Sequence, residues 1–142
     1  MLFNQTAEYA LRAMAQLALL PPGQSVRARD LSAAANIPGD YVSKVLRRMV
    51  REGLLLSQKG HGGGFRLARA PADISFADIL AAMDEMLDPE RCAFGRGKCG
   101  VTPCALHGPF SRLKQLVNDW AHATTLADVS DGQIALPQIT VA

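Results

Sequence analysis

The sequence predicts a mainly α fold: a helix-turn-helix followed by a two-stranded wing, and a long C-terminal helix suited to dimerisation. Three observations carry this reading. Two short amphipathic segments flank the breaker Asn36-Ile37-Pro38-Gly39, two short apolar runs flank the glycine-rich residues 59–64, and apolar residues recur at steps of three and four from Phe110 to Thr124.

Residues 4–20 form a helix with Tyr9, Ala10, Ala13, Met14, Leu17 and Leu20 on one side, ended by Pro21-Pro22-Gly23. A second helix spans 27–35. Asp40 is placed to cap a third, which runs to about Glu52 before Gly53 stops it. In this third helix Tyr41, Val42, Val45, Leu46 and Met49 form the stripe expected to be buried, which leaves Ser43, Lys44, Arg47, Arg48 and Arg51 on the other face. Residues 54–58 and 65–68 read as strands joined by Lys59-Gly60-His61-Gly62-Gly63-Gly64. Ser75 caps a helix to about Leu87, with Phe76, Ile79, Leu80 and Met83 as its packing face. From Pro109 the chain is helical again to about Leu126, and Phe110, Leu113, Val117, Trp120 and Thr124 make a heptad seam for a second copy. The chain thus divides into a front region at 1–70, a linker helix, cysteine loop and dimerisation helix at 71–128, and a tail at 129–142.

Charge is distributed unevenly. Residues 1–70 hold ten Lys and Arg against four Asp and Glu, and residues 71–142 hold five against nine, so a net charge of +2 hides a basic front half. Such an excess is the electrostatic footprint of a nucleic-acid binder. The cationic face of the third helix lies where a major groove would be met, and the wing glycines allow close approach to phosphates, with Lys59, His61, Arg66 and Arg69 as its polar tips. No apolar run approaches the roughly 20 residues of a membrane span, and the first residues carry Glu8 without a basic leader, so a cytoplasmic protein is expected.

Cys92, Cys99 and Cys104 are the chain's only cysteines, and His107 follows them closely. Thiolates and imidazole suit iron–sulfur clusters, zinc or copper. Six and then four residues separate the cysteines, looser than the pairs of structural zinc sites, and Gly95, Gly97 and Gly100 let the segment wrap a bulky group. Cys104 and His107 stand three apart at the start of a helix, on one face. A zinc staple or an empty cysteine site remains open, as does a thiol-based redox protein using Cys99 or Cys104 as nucleophile. No Cys-x-x-Cys pair, phosphate loop or dinucleotide fingerprint supports an enzyme.

Tyr9-Ala10-Leu11-Arg12, Tyr41-Val42-Ser43-Lys44-Val45-Leu46, the wing ending Gly63-Gly64-Phe65-Arg66-Leu67-Ala68-Arg69, Cys104-Ala105-Leu106-His107 and Thr124-Thr125-Leu126-Ala127-Asp128 together resemble the Rrf2 family of bacterial winged-helix regulators. The likeness spans roughly residues 1–128. It implies a dimeric transcription factor on palindromic double-stranded DNA, with operator affinity controlled by an iron–sulfur cluster, 2Fe-2S rather than 4Fe-4S. The resemblance makes Cys92, Cys99 and Cys104 the cluster ligands and His107 the fourth, with Glu8 as the rival, reaching a partner's cluster from the first helix. Two departures stand out. Ser43 replaces a glutamate that some members carry two residues after the recognition-helix tyrosine, and Lys59 replaces a wing arginine, keeping charge but losing bidentate geometry.

Overall fold

The computed structural model describes residues 2–98 and 104–133. Its first element, α1 (Gln5–Ala18), starts where Asn4 Oδ1 accepts a hydrogen bond from the Ala7 amide at 2.8 Å. Two further helices, α2 (Ala28–Ala35) and α3 (Gly39–Arg51), pack on it. Asn36 ends α2 in the left-handed region at φ 52°, and its carbonyl receives Arg12 Nη1 at 3.5 Å. Asp40 does not cap α3. The amides of Tyr41 and Val42 both donate to the Pro38 carbonyl, so the helix opens two residues earlier and the Asp40 carboxylate sits in its first turn, where the dipole favours it.

Val42, Val45, Leu46 and Met49 are buried as expected, but Tyr41 is not. It is 41% exposed and meets Tyr9 edge-on at 5.5 Å between ring centroids. Tyr9 occupies the space a fully inward Tyr41 would need, so the second ring leans on the first from outside. The Tyr-Ala-Leu-Arg stretch of α1 therefore supports the helix-turn-helix: Tyr9 props the start of α3 and Arg12 holds the turn before it.

The wing consists of β1 (Leu55–Gln58) and β2 (Gly64–Leu67), antiparallel, with Leu55 opposite Leu67 and Gln58 opposite Gly64. Strand β2 is flanked by a third segment that sequence reading missed. Val26 and Phe65 exchange two backbone hydrogen bonds, at 2.9 and 2.8 Å, which ties the wing to the residues entering α2. Gly64 makes this approach possible: it sits at φ +136°, and a Cβ there would lie 2.3 Å from the Val26 carbonyl oxygen. Gly64→Ala is accordingly expected to destabilise the protein by ~2–4 kcal/mol in urea unfolding, the sum of backbone strain and clash. At Gly39 an added Cβ meets nothing within 4 Å, so Gly39→Ala should stay within about 0.5 kcal/mol of the unaltered protein or exceed it.

Beyond a 3-10 turn (Pro71–Asp73), Ser75 caps α4 (Phe76–Ala82) through a reciprocal pair with Asp78, at 2.9 and 3.0 Å. The helix stops well short of Leu87 because Asp84 adopts φ 56° and turns the chain out. A longer helix, α5 (His107–Ala123), follows the cysteine loop, and Thr125 then caps the short α6 (Leu126–Asp128), which passes into a π-helical turn (Val129–Gln133). Phe76 donates to the Thr124 carbonyl at 2.8 Å and Leu126 to that of Ile74 at 3.0 Å, so the end of α5 is stitched to the start of α4.

Leu126 and Val129 are completely buried, in one apolar cluster with Ala7, Met14, Leu46, Leu54 and Ile79. That single core crosses the boundary expected at residues 70 and 71, and it takes in the first residue of the expected tail. Residues 134–142 of that tail lie outside the described residues. Among the described residues no helix is long and apolar enough to cross a membrane.

Candidate nucleic-acid interface and cysteine site

The basic face of α3 is presented by the burial of the opposite one. With Val42, Val45, Leu46 and Met49 locked in the core, Lys44, Arg47 and Arg51 are exposed and Ser43 is half-buried beside them. At the wing tip Lys59 and His61 are exposed on a turn that Gly60 and Gly62 allow at φ 94° and 72°. Arg66 departs from the expected arrangement. It is half-buried along the wing, in a pocket shared with Arg69, Gln24 and the Pro21-Pro22 segment that follows α1, not at the tip. Arg48 also differs. Its Nε donates to the Ala82 carbonyl at 2.6 Å and its Nη2 pairs with the Asp84 carboxylate, so its guanidinium is turned toward the end of α4.

In the cysteine loop the segment before Cys99 folds back on itself. Gly95 and Gly97 take φ 73° and 77°, Arg91 and Lys98 form an antiparallel bridge, and the Cys92 amide donates to the Gly97 carbonyl. The Glu90 carboxylate closes the turn by hydrogen bonding Lys98 at 2.9 Å, which raises the lysine's pKa above its ordinary value. The Phe94 amide donates to Cys92 Sγ at 3.4 Å. Ligand atoms are commonly oriented by outer hydrogen bonds of this sort.

On the far side of the loop the His107 amide donates to the Cys104 carbonyl at 3.0 Å as α5 begins. Cys92, Cys104 and His107 open on one small pocket, whose walls include Pro89, Leu106 and Phe110. Cys99 lies outside the described residues. Among the described residues no three ligand-type side chains stand close enough together to hold a metal ion. Glu8 is elsewhere, half-buried on a groove lined by Tyr9, Arg12 and Pro38.

Two residues that pattern reading passed over hold this loop. Lys114, buried on the inner face of α5, donates to the carbonyls of Asp88 at 3.0 Å and Arg91 at 2.7 Å, and its ammonium stands 4.3 Å from the Phe110 ring centre. One turn on, Asn118 exchanges two bonds with the Leu87 backbone, at 3.3 and 2.6 Å. Their signal in the sequence was faint: polar residues on the arc of α5 that should have been apolar.

The outer face of α5 is the reverse case. Leu106, Phe110, Leu113, Leu116 and Trp120 are all exposed, with Leu116 66% exposed, and Trp120 touches Phe76 edge-on at 5.4 Å. Val117, expected in the seam, packs against the core, and Leu116 takes its place outside. The buried side of α5 is fixed by Lys114 and Ala121, and helical geometry turns Val117 inward with them.

The sequence profile of the Rrf2 family, described as an iron-dependent transcriptional regulator, matches residues 3–132. The chain belongs to the Rrf2 family. An HTH-type transcriptional regulator of Mycobacterium tuberculosis is 36% identical over 139 residues, covering 97% of this chain and 85% of the relative. The regulator IscR of Vibrio vulnificus is 31% identical over 136 residues, covering 94% and 80%. In fold, this Rrf2 protein is similar to CymR, the global cysteine regulator of B. subtilis, with TM-score 0.75 at 20% identity over 90% of this chain and 95% of that one. It is similar also to IscR of T. potens, with TM-score 0.73 at 21% identity over 93% and 90%. The Rrf2 protein is therefore a winged-helix, DNA-binding transcriptional regulator, and not an enzyme.

Proposed function

We propose that this Rrf2 regulator reads a palindromic operator as a homodimer, and that an iron–sulfur cluster of the 2Fe-2S kind, held by Cys92, Cys99, Cys104 and His107, sets its affinity. The observation that carries the cofactor is that Cys92, Cys104 and His107 line one small pocket at the start of α5, the helix whose apolar outer stripe is exposed among the described residues. The donor set fits such a group in kind: soft sulfur and imidazole on a loop whose glycines turn it inward. When bound, the cluster supplies a redox-active centre that responds to oxidants, nitric oxide or iron supply. His107 is the fourth donor of this reading, because it shares the cysteine pocket and Glu8 does not.

For DNA, Ser43, Lys44, Arg47 and Arg51 on α3 face the major groove, and Lys59 and His61 at the wing tip meet the flanking backbone, with Arg66 supporting from β2. Paired heads on a two-fold axis match the symmetry of a palindrome, and the exposed stripe of α5 is the surface that pairs them.

Protein purified without oxygen is expected to contain iron and acid-labile sulfide, with visible absorption that disappears in Cys104→Ala. Colourless protein carrying stoichiometric zinc would overturn the cluster.

A further inference from the structure

Residues 82–91 form a strap that touches three helices in succession. At its start Arg48 of α3 grips the Ala82 carbonyl and the Asp84 carboxylate. Next, the Glu85 carboxylate accepts from the Asn4 backbone at 3.4 Å and from the Asn4 side chain, which is the cap of α1. Then Asn118 and Lys114 of α5 hold Leu87, Asp88 and Arg91. Cys92 follows immediately. Asp84 takes a left-handed conformation at φ 56°, which turns the chain out of α4 and which aspartate adopts more readily than most residues with a side chain.

We infer that Arg48 is a positioning residue for DNA binding: by clasping Ala82 and Asp84 it sets the angle of α3 and joins that helix to the strap that ends at the cysteine loop. Its Nε and Nη2 are engaged within the chain, whereas Lys44, Arg47 and Arg51 on the same helix are exposed. A planar guanidinium bonded to a carbonyl and a carboxylate fixes orientation as well as distance. A displacement at Cys92 is carried along the strap, whose other end holds the reading helix. This second step rests on the proposed control by the cysteine site; the positioning role does not.

The test uses full-length protein and a DNA duplex enriched from a random pool by the unaltered regulator, with affinity measured by fluorescence anisotropy across a salt series. Asp84→Asn is expected to weaken binding about threefold although it removes a negative charge, and Arg48→Ala about tenfold. The salt slope should not change in either, and the double variant should bind no more weakly than Arg48→Ala alone. Arg48→Lys should behave like Arg48→Ala, since a single ammonium cannot hold both partners. Each variant's thermal midpoint confirms that it is folded.

Tighter binding by Asp84→Asn, a slope lowered by about one in Arg48→Ala, or rescue by lysine would make Arg48 a direct phosphate contact and overturn the positioning role. The strap's part is read from the ratio of affinities with and without the cofactor, which should shrink in Asp84→Asn. An unchanged ratio there overturns transmission through the strap, whereas a ratio of one in the unaltered protein overturns cofactor control and leaves Arg48 to be decided by the salt slopes.

Discussion

Leu116→Asp is expected to convert the proposed dimer to a monomer and to lower operator affinity by more than about a hundredfold. Leu116 is 66% exposed on α5, in the same stripe as Leu106, Phe110, Leu113 and Trp120. Contiguous apolar residues of this size on a helix face mark a surface that is covered in the working assembly. A carboxylate at its centre would have to be desolvated without a partner, twice in a symmetric interface, which such an interface does not tolerate. Because Leu116 stands outside the apolar core, the monomer should keep its thermal midpoint and its far-ultraviolet spectrum. The DNA loss follows from linkage: with two heads joined, the second half-site is met at high effective concentration, and with the heads separate each half-site must be bound alone. Sedimentation velocity and anisotropy titrations measure both effects. A variant that remains dimeric, or a monomer that holds the operator undiminished, defeats the assignment of α5 as the pairing surface.

The second large effect is expected at Arg47. Its side chain is exposed on α3, one step in sequence from Arg48, whose guanidinium is held by Ala82 and Asp84. Arg47→Ala should cost roughly ten- to a hundredfold in operator affinity and reduce the salt slope by about one if the guanidinium meets phosphate. If it reads a base edge, the slope stays and discrimination at one operator position relaxes instead. Unchanged affinity, slope and sequence preference would remove Arg47 from the interface. The contrast between adjacent arginines is the informative part, since composition treats them alike.

Much of the fold was legible because periodicity and breakers are local. The helix-turn-helix followed from the break at Asn36 to Gly39, the wing from the glycines between two apolar runs, and the cap of α4 from Ser75. Errors arose where a neighbour distant in sequence decided. Tyr41 carried the apolar spacing of a buried residue, but Tyr9 already filled that place. Val117 and Leu116 exchanged faces because Lys114 and Ala121 set the roll of α5. Residues from 129 on were expected to be a tail, yet Val129 joins Leu126 in the core because the Leu126 amide bonds to the Ile74 carbonyl and turns the chain inward.

The candidate site divides in the same way. Its chemistry was visible in residue types alone: soft donors at Cys92, Cys104 and His107, and cations on α3 and the wing. What sequence could not supply was which of those groups are free to act, because hydrogen-bond partners far along the chain determine that.

From sequence alone came the repeating apolar periods, the turn chemistry and the donor set, all properties of neighbours within a few residues of one another. Only the folded chain decided that Arg48 is held by α4, that Lys114 and Asn118 clamp the cysteine loop, and that Val26 anchors the wing. The reason is physical: a side chain's charge and shape are written in its own residue, but the partner that satisfies them is chosen by packing between segments tens of residues apart.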